Sequence, residues 1–292
     1  MNRSTNRRLL ATFAAATTLA FAAPAFAQEG AAAAAPDATV GKVTGDSLTI
    51  GAAGVYIPDY EGSNDYRFAP APIVLAKWHG FGLQILGNRA SVDLIPDRGQ
   101  WNFEAGPIGV INFNRSDPDA IKDIRVARLR ERGNAFELGG YLGVSKTGVI
   151  TSPYDTLSLS VSYRHDLTRA HDSGIWQPSI SYVTPLSRKL AVGINAQAQH
   201  VERGYANAYF NIGPIQSAAS GLPQYSTDGG WKSYTVAAFV THSLTGDLLH
   251  GFKIVAGGGY TRLLGGFARS PIVTVAGTPN QWLGAVGVAY TF

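Results

Sequence analysis

The sequence contains no cysteine, and its only methionine is Met1. Without cysteine the chain can form neither a disulfide framework nor a thiolate site. Charged residues are also scarce, at 15% of the chain, against about 25% in an average soluble domain. The chain therefore has little polar material with which to coat a surface that faces water.

A long apolar run is missing as well. Beyond the first 27 residues no stretch approaches the ~18 uninterrupted apolar residues of a membrane-spanning helix. Glycine (34 residues) and aromatic residues (11%) are abundant instead. A closed β-barrel in a lipid bilayer accounts for both observations, because lipid covers its outer face and neighbouring strands pair every backbone N–H and C=O.

The first residues have the composition of a secretory signal. Three arginines precede an apolar stretch that ends near residue 21, and an A-x-A cleavage site ends at Ala27. We expect residues 1–27 to be removed on export across a Gram-negative cell envelope. The three arginines account for most of the formal charge of +4, so the mature chain is nearly neutral and nucleic-acid binding loses its support.

Residues 28–45 are rich in alanine and glycine and lack alternation, which predicts a periplasmic linker. From Leu48 onward apolar residues recur with a period of two, the spacing of a strand with one apolar and one polar face. The clearest segment runs from Leu157 to Leu167, where Val161 belongs to the apolar set and Ser160 to the polar set. Segments of about ten residues fit tilted strands that cross a bilayer, so residues 46–292 are predicted to form one outer-membrane barrel.

About 11 strand segments can be counted, and a barrel with both termini in the periplasm needs an even number. We predict an all-β, antiparallel up-and-down barrel of about 12 strands, with 10 as the alternative. The open point is whether Gly87-Asn88 turns a hairpin or lies inside one long strand. The long connections 114–133, 204–230 and 264–280 are predicted to lie outside the cell, and the short ones in the periplasm.

The last predicted strand has an apolar face that ends at Phe292. A carboxy-terminal aromatic residue on such a strand resembles the signal by which the barrel-assembly machinery recognises its clients. We therefore expect Trp282, Tyr290 and Phe292 to form an assembly signal.

Several separated motifs resemble the MipA/OmpV family over residues 48–292. They are IPDYEGS (57–63), YANAYF (205–210), QSAASGLPQY (216–225), YTRLL (260–264), SPI (270–272) and the terminal YTF. The resemblance implies an outer-membrane barrel whose founding member is described as a scaffold linking a lytic transglycosylase to a murein synthase. It also singles out residues in the connecting loops, namely Asp59, Tyr60, Glu61, Gly62, Tyr209, Phe210, Ser270 and Pro271.

One His-x-Ser, His171-Asp172-Ser173, lies in the polar connection 168–174. A serine nucleophile needs a base at hydrogen-bond distance and a third group that orients the base. We expect a flexible turn to hold neither, and we predict no enzymatic activity.

We also predict no metal site and no cofactor. His165, His200 and His242 have lipid-facing parity and are expected at the membrane interface rather than around one metal ion.

Two charged loops have alternative interpretations. Asp59, Glu61 and Asp65 are expected to form a solvated acidic loop, with cation binding as the alternative. The charge-dense segment 117–132 is also expected to be a solvated loop. Alternatively it lies on the membrane surface, plugs the lumen or contacts a partner, because its apolar residues fit a short amphipathic helix only partly.

Side chains with lumen parity are expected to form an interior polar network; they are Arg164, Asp166, Asn195 and Gln197. Barrels of 10 to 12 strands are expected to leave a narrow or occluded pore.

We expect a non-enzymatic scaffold or structural protein in contact with outer-membrane lipid and lipopolysaccharide, linking murein-remodelling enzymes to the membrane. A narrow channel or a barrel that binds small solutes or antibiotics is the alternative, followed by an outer-membrane lipid hydrolase.

Overall fold

The computed structural model describes residues 45–97 and 99–292. The predicted signal (1–27) and nearly all of the predicted linker (28–45) lie outside these residues. Twelve strands form one closed antiparallel barrel, in which each strand pairs with its neighbours in sequence and the first pairs with the last. The strands are β1 Ser47–Pro58, β2 Tyr66–Trp78, β3 Phe81–Leu86, β4 Arg89–Asp93, β5 Trp101–Asn112, β6 Ala135–Thr147, β7 Thr156–Asp166, β8 Gly174–Pro185, β9 Leu190–Val201, β10 Gly230–Ser243, β11 Gly251–Leu263 and β12 Asn280–Thr291.

The prediction of 12 strands rather than 10 is confirmed. Gly87-Asn88 turns the hairpin between the two shortest strands, β3 and β4. Closure is made by β1 and β12, which pair from Thr49↔Thr291 to Tyr56↔Gly284. Because the sheet closes on itself, neither β1 nor β12 is left as a free edge strand.

The alternation in the sequence matches the two faces of the wall. On β7, Leu159 and Val161 are exposed on the outer face, whereas Ser162 and Arg164 are buried on the inner face. The lipid-facing and lumen-facing sets predicted for this strand are thus confirmed.

Residues 66–72 of β2 pair with β1 on one side but have no strand partner on the other side. The short β3 pairs only with Ile73 to Trp78 of β2, and the Gly87 N–H donates to the Pro72 carbonyl at the end of that ladder. Pro72 lies at this point and Pro70 lies just above it. Because proline has no N–H, neither residue exposes an unpaired donor to lipid. The connection after β5 covers the edge, where Lys122 Nζ donates to the Tyr66 carbonyl at 3.0 Å.

Aromatic side chains ring the outer face near the end of the barrel where the long connections lie. Such girdles mark the membrane interfaces of outer-membrane barrels, and in barrels of this type the long connections are the extracellular ones. Ring contacts or exposure identify its members as Tyr56, Tyr66, Phe68, Tyr163, Trp176, Trp231, Tyr234, Tyr260 and Trp282.

Short helices occur only in the extracellular connections of the described chain. None of the described helices is long and apolar enough to cross a membrane. They are α1 Ile124–Ala127, α2 Arg203–Tyr209, α3 Pro214–Ser220, α4 Gly265–Arg269 and α5 Pro271–Thr274, together with a 3-10 turn at Pro118–Ala120.

Candidate functional site: a lumen sealed by an extracellular lid

Four extracellular connections fold together over the barrel mouth, and we call them the lid: residues 59–65, 113–134, 202–229 and 264–279. Two apolar cores hold the lid. One joins all four segments through Tyr60, Ile121, Val126, Leu129, Ile212, Leu222, Ile272 and Ala276. The other sets α2 and α4 against the tops of three strands through Ile175, Val201, Tyr205, Ala206, Ala208, Tyr209, Phe210, Leu263, Phe267 and Val273.

The expectation of a solvated loop at 117–132 is therefore wrong. Ile121, Val126 and Leu129 are at most 7% exposed and belong to a lid core, whereas Ile124 stays exposed. The apolar residues fit no long helix because a 3-10 turn and one helical turn divide them.

The eight family-motif residues singled out from the connecting loops, Asp59 to Gly62, Tyr209, Phe210, Ser270 and Pro271, all lie in the lid. Tyr60 donates its hydroxyl to the Ala276 carbonyl at 2.5 Å, and Ser270 donates to the Phe210 carbonyl at 2.7 Å. Gly62 has φ +98°, and a Cβ there would lie 2.6 Å from Val273 Cγ2, so the tight approach of the two connections favours glycine. Motifs that are far apart in sequence thus serve one packed structure.

Glu61 reaches from the lid into the lumen. Lys232 Nζ lies 2.5 Å from Glu61 Oε1, and the Tyr205 hydroxyl donates to Glu61 Oε2 at 2.7 Å. The side chain of Lys232 is 1% exposed and that of Glu61 10% exposed. This ion pair connects lid segment 59–65 to strand β10, which lies 171 residues later in the sequence.

The prediction of a solvated acidic loop is consequently wrong for two of its three carboxylates. Asp59 is 2% exposed, and its Oδ2 accepts the Lys122 N–H at 3.0 Å. Burial raises the pKa of the Asp59 carboxyl. Only Asp65 remains partly exposed, near Lys122.

A second buried charge cluster centres on Glu137. Its Oε2 accepts from Arg164 Nε at 2.5 Å, and its Oε1 accepts from Asn112 Nδ2 at 3.0 Å. His171 Nε2 lies 3.2 Å from the same Oε1. Glu137, Arg164 and the His171 ring are fully buried. The cluster therefore connects β6, β7 and the connection 167–173 away from solvent.

The four residues predicted for the lumen network do not form one network. Arg164 Nη1 donates to Gln177 Oε1 at 2.9 Å, and Gln177 Nε2 donates to Gln197 Oε1 at 2.7 Å, which links the first and last of them. Asp166 instead accepts the N–H groups of the 167–173 connection. Asn195 donates to the Ile180 carbonyl.

His171 and Ser173 do not lie in a flexible turn, and that prediction is wrong. Ser173 Oγ is 2.8 Å from His171 Nδ1, and Glu137 accepts at the opposite ring nitrogen. Burial lowers the pKa of His171 to about 4, so the ring is neutral at pH 7. With Nε2–H directed at Glu137, Nδ1 can accept the Ser173 hydroxyl proton, which is the order of a nucleophile, base and carboxylate.

Access to this serine is closed. Ser173 is 3% exposed, and a Cβ added at Gly204 of α2 would lie 2.8 Å from Ser173 Cβ. No room for a substrate exists between them. The arrangement therefore acts as a buried hydrogen-bond chain that fixes the connection 167–173 under α2.

We expect Ser173 to resist labelling by a fluorophosphonate probe, because α2 covers its hydroxyl. The folded protein would be incubated with the probe in detergent and analysed by gel fluorescence, beside Ser173→Ala as the blank. A signal that is present in the wild type and absent from Ser173→Ala would restore the hydrolase interpretation.

A small cavity remains under the lid, against the inner faces of β9–β12 and β1. Its wall is polar but mostly uncharged on one side, with Gln197, Gln199, Ser233 and Thr235, and apolar on the other, with Leu283 among its residues. At the periplasmic end another apolar group enters the lumen, formed by Val183, Ala191, Phe239 and Leu248. The lid thus covers one end of the lumen, and apolar side chains occupy part of the wall near the other end.

Sequence reasoning missed Lys232 and Tyr205. The ladder between β9 and β10 shifts register between Trp231 and Ser233, and both Lys232 and Ser233 are buried. This bulge breaks the alternation that would have marked Lys232 as inward-facing. Tyr205 lies on a lid helix, where strand parity carries no information.

Within residues 45–97 and 99–292 no group of three or more histidine, aspartate or glutamate side chains could hold a metal ion. The fold and the lid define a class: a closed 12-strand barrel of the outer-membrane type whose mouth is covered by a packed lid. The family model described as "MltA-interacting protein MipA" matches residues 50–292. The chain belongs to this family.

No curated protein matches the chain. Solved structures with similar folds include an outer-membrane channel from Pseudomonas putida F1 (11% identity, TM-score 0.45, covering 88% of this chain and 100% of that one). An anion-selective porin from Comamonas acidovorans has 8% identity and a TM-score of 0.41, covering 85% and 98%. At these identities and TM-scores the similarities in structure carry no argument about function.

Proposed function

We propose that the protein is a non-conducting barrel that anchors partner proteins of the cell envelope at the outer membrane, in particular enzymes that remodel murein. The observation that supports this most is the sealed mouth. Two apolar cores and the Glu61–Lys232 ion pair close the extracellular end, and opening it would separate buried charges at considerable cost. The family description, which names an interaction with MltA, supports the choice of partner.

Export and assembly belong to the same proposal. Residues 1–27 serve as a cleaved signal, and Trp282, Tyr290 and Phe292 serve as the assembly signal. Trp282 on the outer face of β12 and Phe292 just beyond its end are 63% and 64% exposed, which supports their recognition by an assembly factor before the sheet closes.

We expect the purified barrel to be electrically silent in planar bilayers, because the packed lid covers the mouth of its lumen. Removal of lid residues 205–228 would take away most of α2, all of α3 and half of one apolar core, and should convert silence into stable ohmic steps. Conductance of the wild type equal to that of the truncated barrel would contradict the sealed-lumen proposal.

The partner is tested separately, by affinity capture from crosslinked envelopes followed by mass spectrometry. Murein synthases or hydrolases enriched with the wild type are the expected result. An unrelated outer-membrane barrel carrying the same tag is the control, and equal recovery of these enzymes with both baits would count against a scaffold.

The cavity under the lid favours a second candidate function, binding of a small uncharged solute. Ser233 Oγ and Gln199 Oε1 have no hydrogen-bond partner among the described residues and line this space. A Ser233→Leu variant would fill it. Loss of a solute-dependent rise in melting temperature in that variant would support this function over the scaffold.

A further inference from the structure

Arg262 is the arginine with lipid-facing parity on the described strands. It stands near the extracellular end of β11, opposite Tyr234 on β10 and Asn280 on β12. Its position within the aromatic girdle places its guanidinium at the level of the lipid headgroups.

A polar contact holds this guanidinium in place. Arg262 Nη1 donates to Asn280 Oδ1, and the Tyr260 hydroxyl donates to the same oxygen at 2.6 Å. Within the part of the chain that the structure describes, Arg262 forms no ion pair. Two other arginines at this rim are neutralised, Arg203 by Asp228 and Arg125 by Asp123. A positioned arginine that keeps its charge and most of its N–H donors matches the geometry of a phosphate group.

The outer wall on the membrane side of Arg262 contains two paired glycines. Tyr260 pairs with Trp282, and one same-face position further into the membrane Gly258 pairs with Gly284. A Cβ added at Gly284 would meet nothing within 4 Å. The wall therefore has a shallow depression bordered by aromatic rings, directly beneath a headgroup-level cation.

We propose that Arg262 and the Gly258/Gly284 depression form a docking site for a phosphorylated lipid of the outer leaflet, of the lipid A type. The guanidinium binds the phosphate, and an acyl chain lies along the two glycines between Trp282 and Tyr234. Charge complementarity selects this occupant over a second protein copy, because an unneutralised arginine in the seam of two identical barrels would face its own copy. The site would orient the barrel among the lipids and is independent of the scaffold proposal.

The test uses the full chain purified in detergent, with bisphosphorylated lipid A added and retention read by native mass spectrometry. Loss of a charge-assisted hydrogen bond pair in Arg262→Gln should weaken retention by about tenfold, and Arg262→Lys should recover part of it. Gly284→Leu, which fills the depression without a clash, should also weaken retention. Folding of each variant is checked by heat-dependent migration on gels.

Two matched controls accompany these variants. Arg203→Gln removes an arginine that is already neutralised, and Gly140→Leu adds the same side chain on the outer face of β6; neither should change retention. Retention by Arg262→Gln equal to that of the wild type would overturn the proposal. Equal binding of lipid A stripped of its phosphates would overturn the role of the guanidinium.

Discussion

Replacing Glu137 with alanine is expected to lower the free energy of unfolding by about 3–5 kcal/mol, the cost of leaving a buried charge without its partner. Arg164 is 0% exposed and donates to Glu137 at 2.5 Å, so its guanidinium would lose the carboxylate that neutralises it inside the protein. His171 and Asn112 lose the same acceptor. Urea titration of the barrel in lipid vesicles, followed by tryptophan fluorescence, measures the change.

Two further variants make this prediction specific. Glu131→Ala removes an exposed lid carboxylate and should cost almost nothing, as for most exposed charges. The double variant Glu137→Leu with Arg164→Met removes both charges and should recover much of the lost stability, since a buried ion pair can be exchanged for apolar packing. A loss below about 1 kcal/mol for Glu137→Ala alone, the range of exposed ion pairs, would show that water reaches the cluster.

The barrel itself could be predicted from the sequence because the pattern that encodes each strand lies within a short segment of the chain. A strand that separates lipid from a polar interior must alternate, and segments such as 157–167 show this without knowledge of their partners. Strand number followed from closure, and the remaining ambiguity at Gly87-Asn88 was one of turn geometry. Such features are encoded within about ten residues of each other.

The sealed interior could not be predicted in the same way, because its interactions are long-range. Glu61 and Lys232 are separated by 171 residues and meet only after the lid has folded over the closed barrel. Parity indicated that Arg164 faces inward, but not that it forms an ion pair with Glu137 on the neighbouring strand. A loop sequence rich in charge was expected to be solvated, whereas the barrel mouth offers the lid an interior in which such charges can be paired.

This difference bears on the proposed function. Buried ion pairs contribute little net stability compared with apolar packing of similar volume, so the lid is not explained as a stabilising device alone. It removes the open lumen that a pore would need and leaves the outer and end surfaces as the parts of the molecule able to act. A scaffold requires only those surfaces.

Arginine in place of Val161 is expected to destabilise the barrel by about 2–4 kcal/mol, the cost of a cation on the lipid face at mid-bilayer. Val161 is 38% exposed on the outer face, midway along β7. Its pairing partners are Leu142 and Pro178, so no neighbouring acid can compensate the charge. Folding titrations in vesicles of a single lipid composition give the free energy directly.

The matched control is one residue away. Ser160 faces the lumen, where its hydroxyl lies 2.7 Å from that of Ser179, and arginine there should cost much less because polar groups rather than acyl chains surround it. Ile194 and Asn195 on β9 repeat the comparison on a second strand, with Ile194 57% exposed to lipid. An equal loss of folding free energy for Val161→Arg and Ser160→Arg would mean that acyl chains do not solvate the outer face. The assignments of lipid-facing and lumen-facing residues would then be wrong.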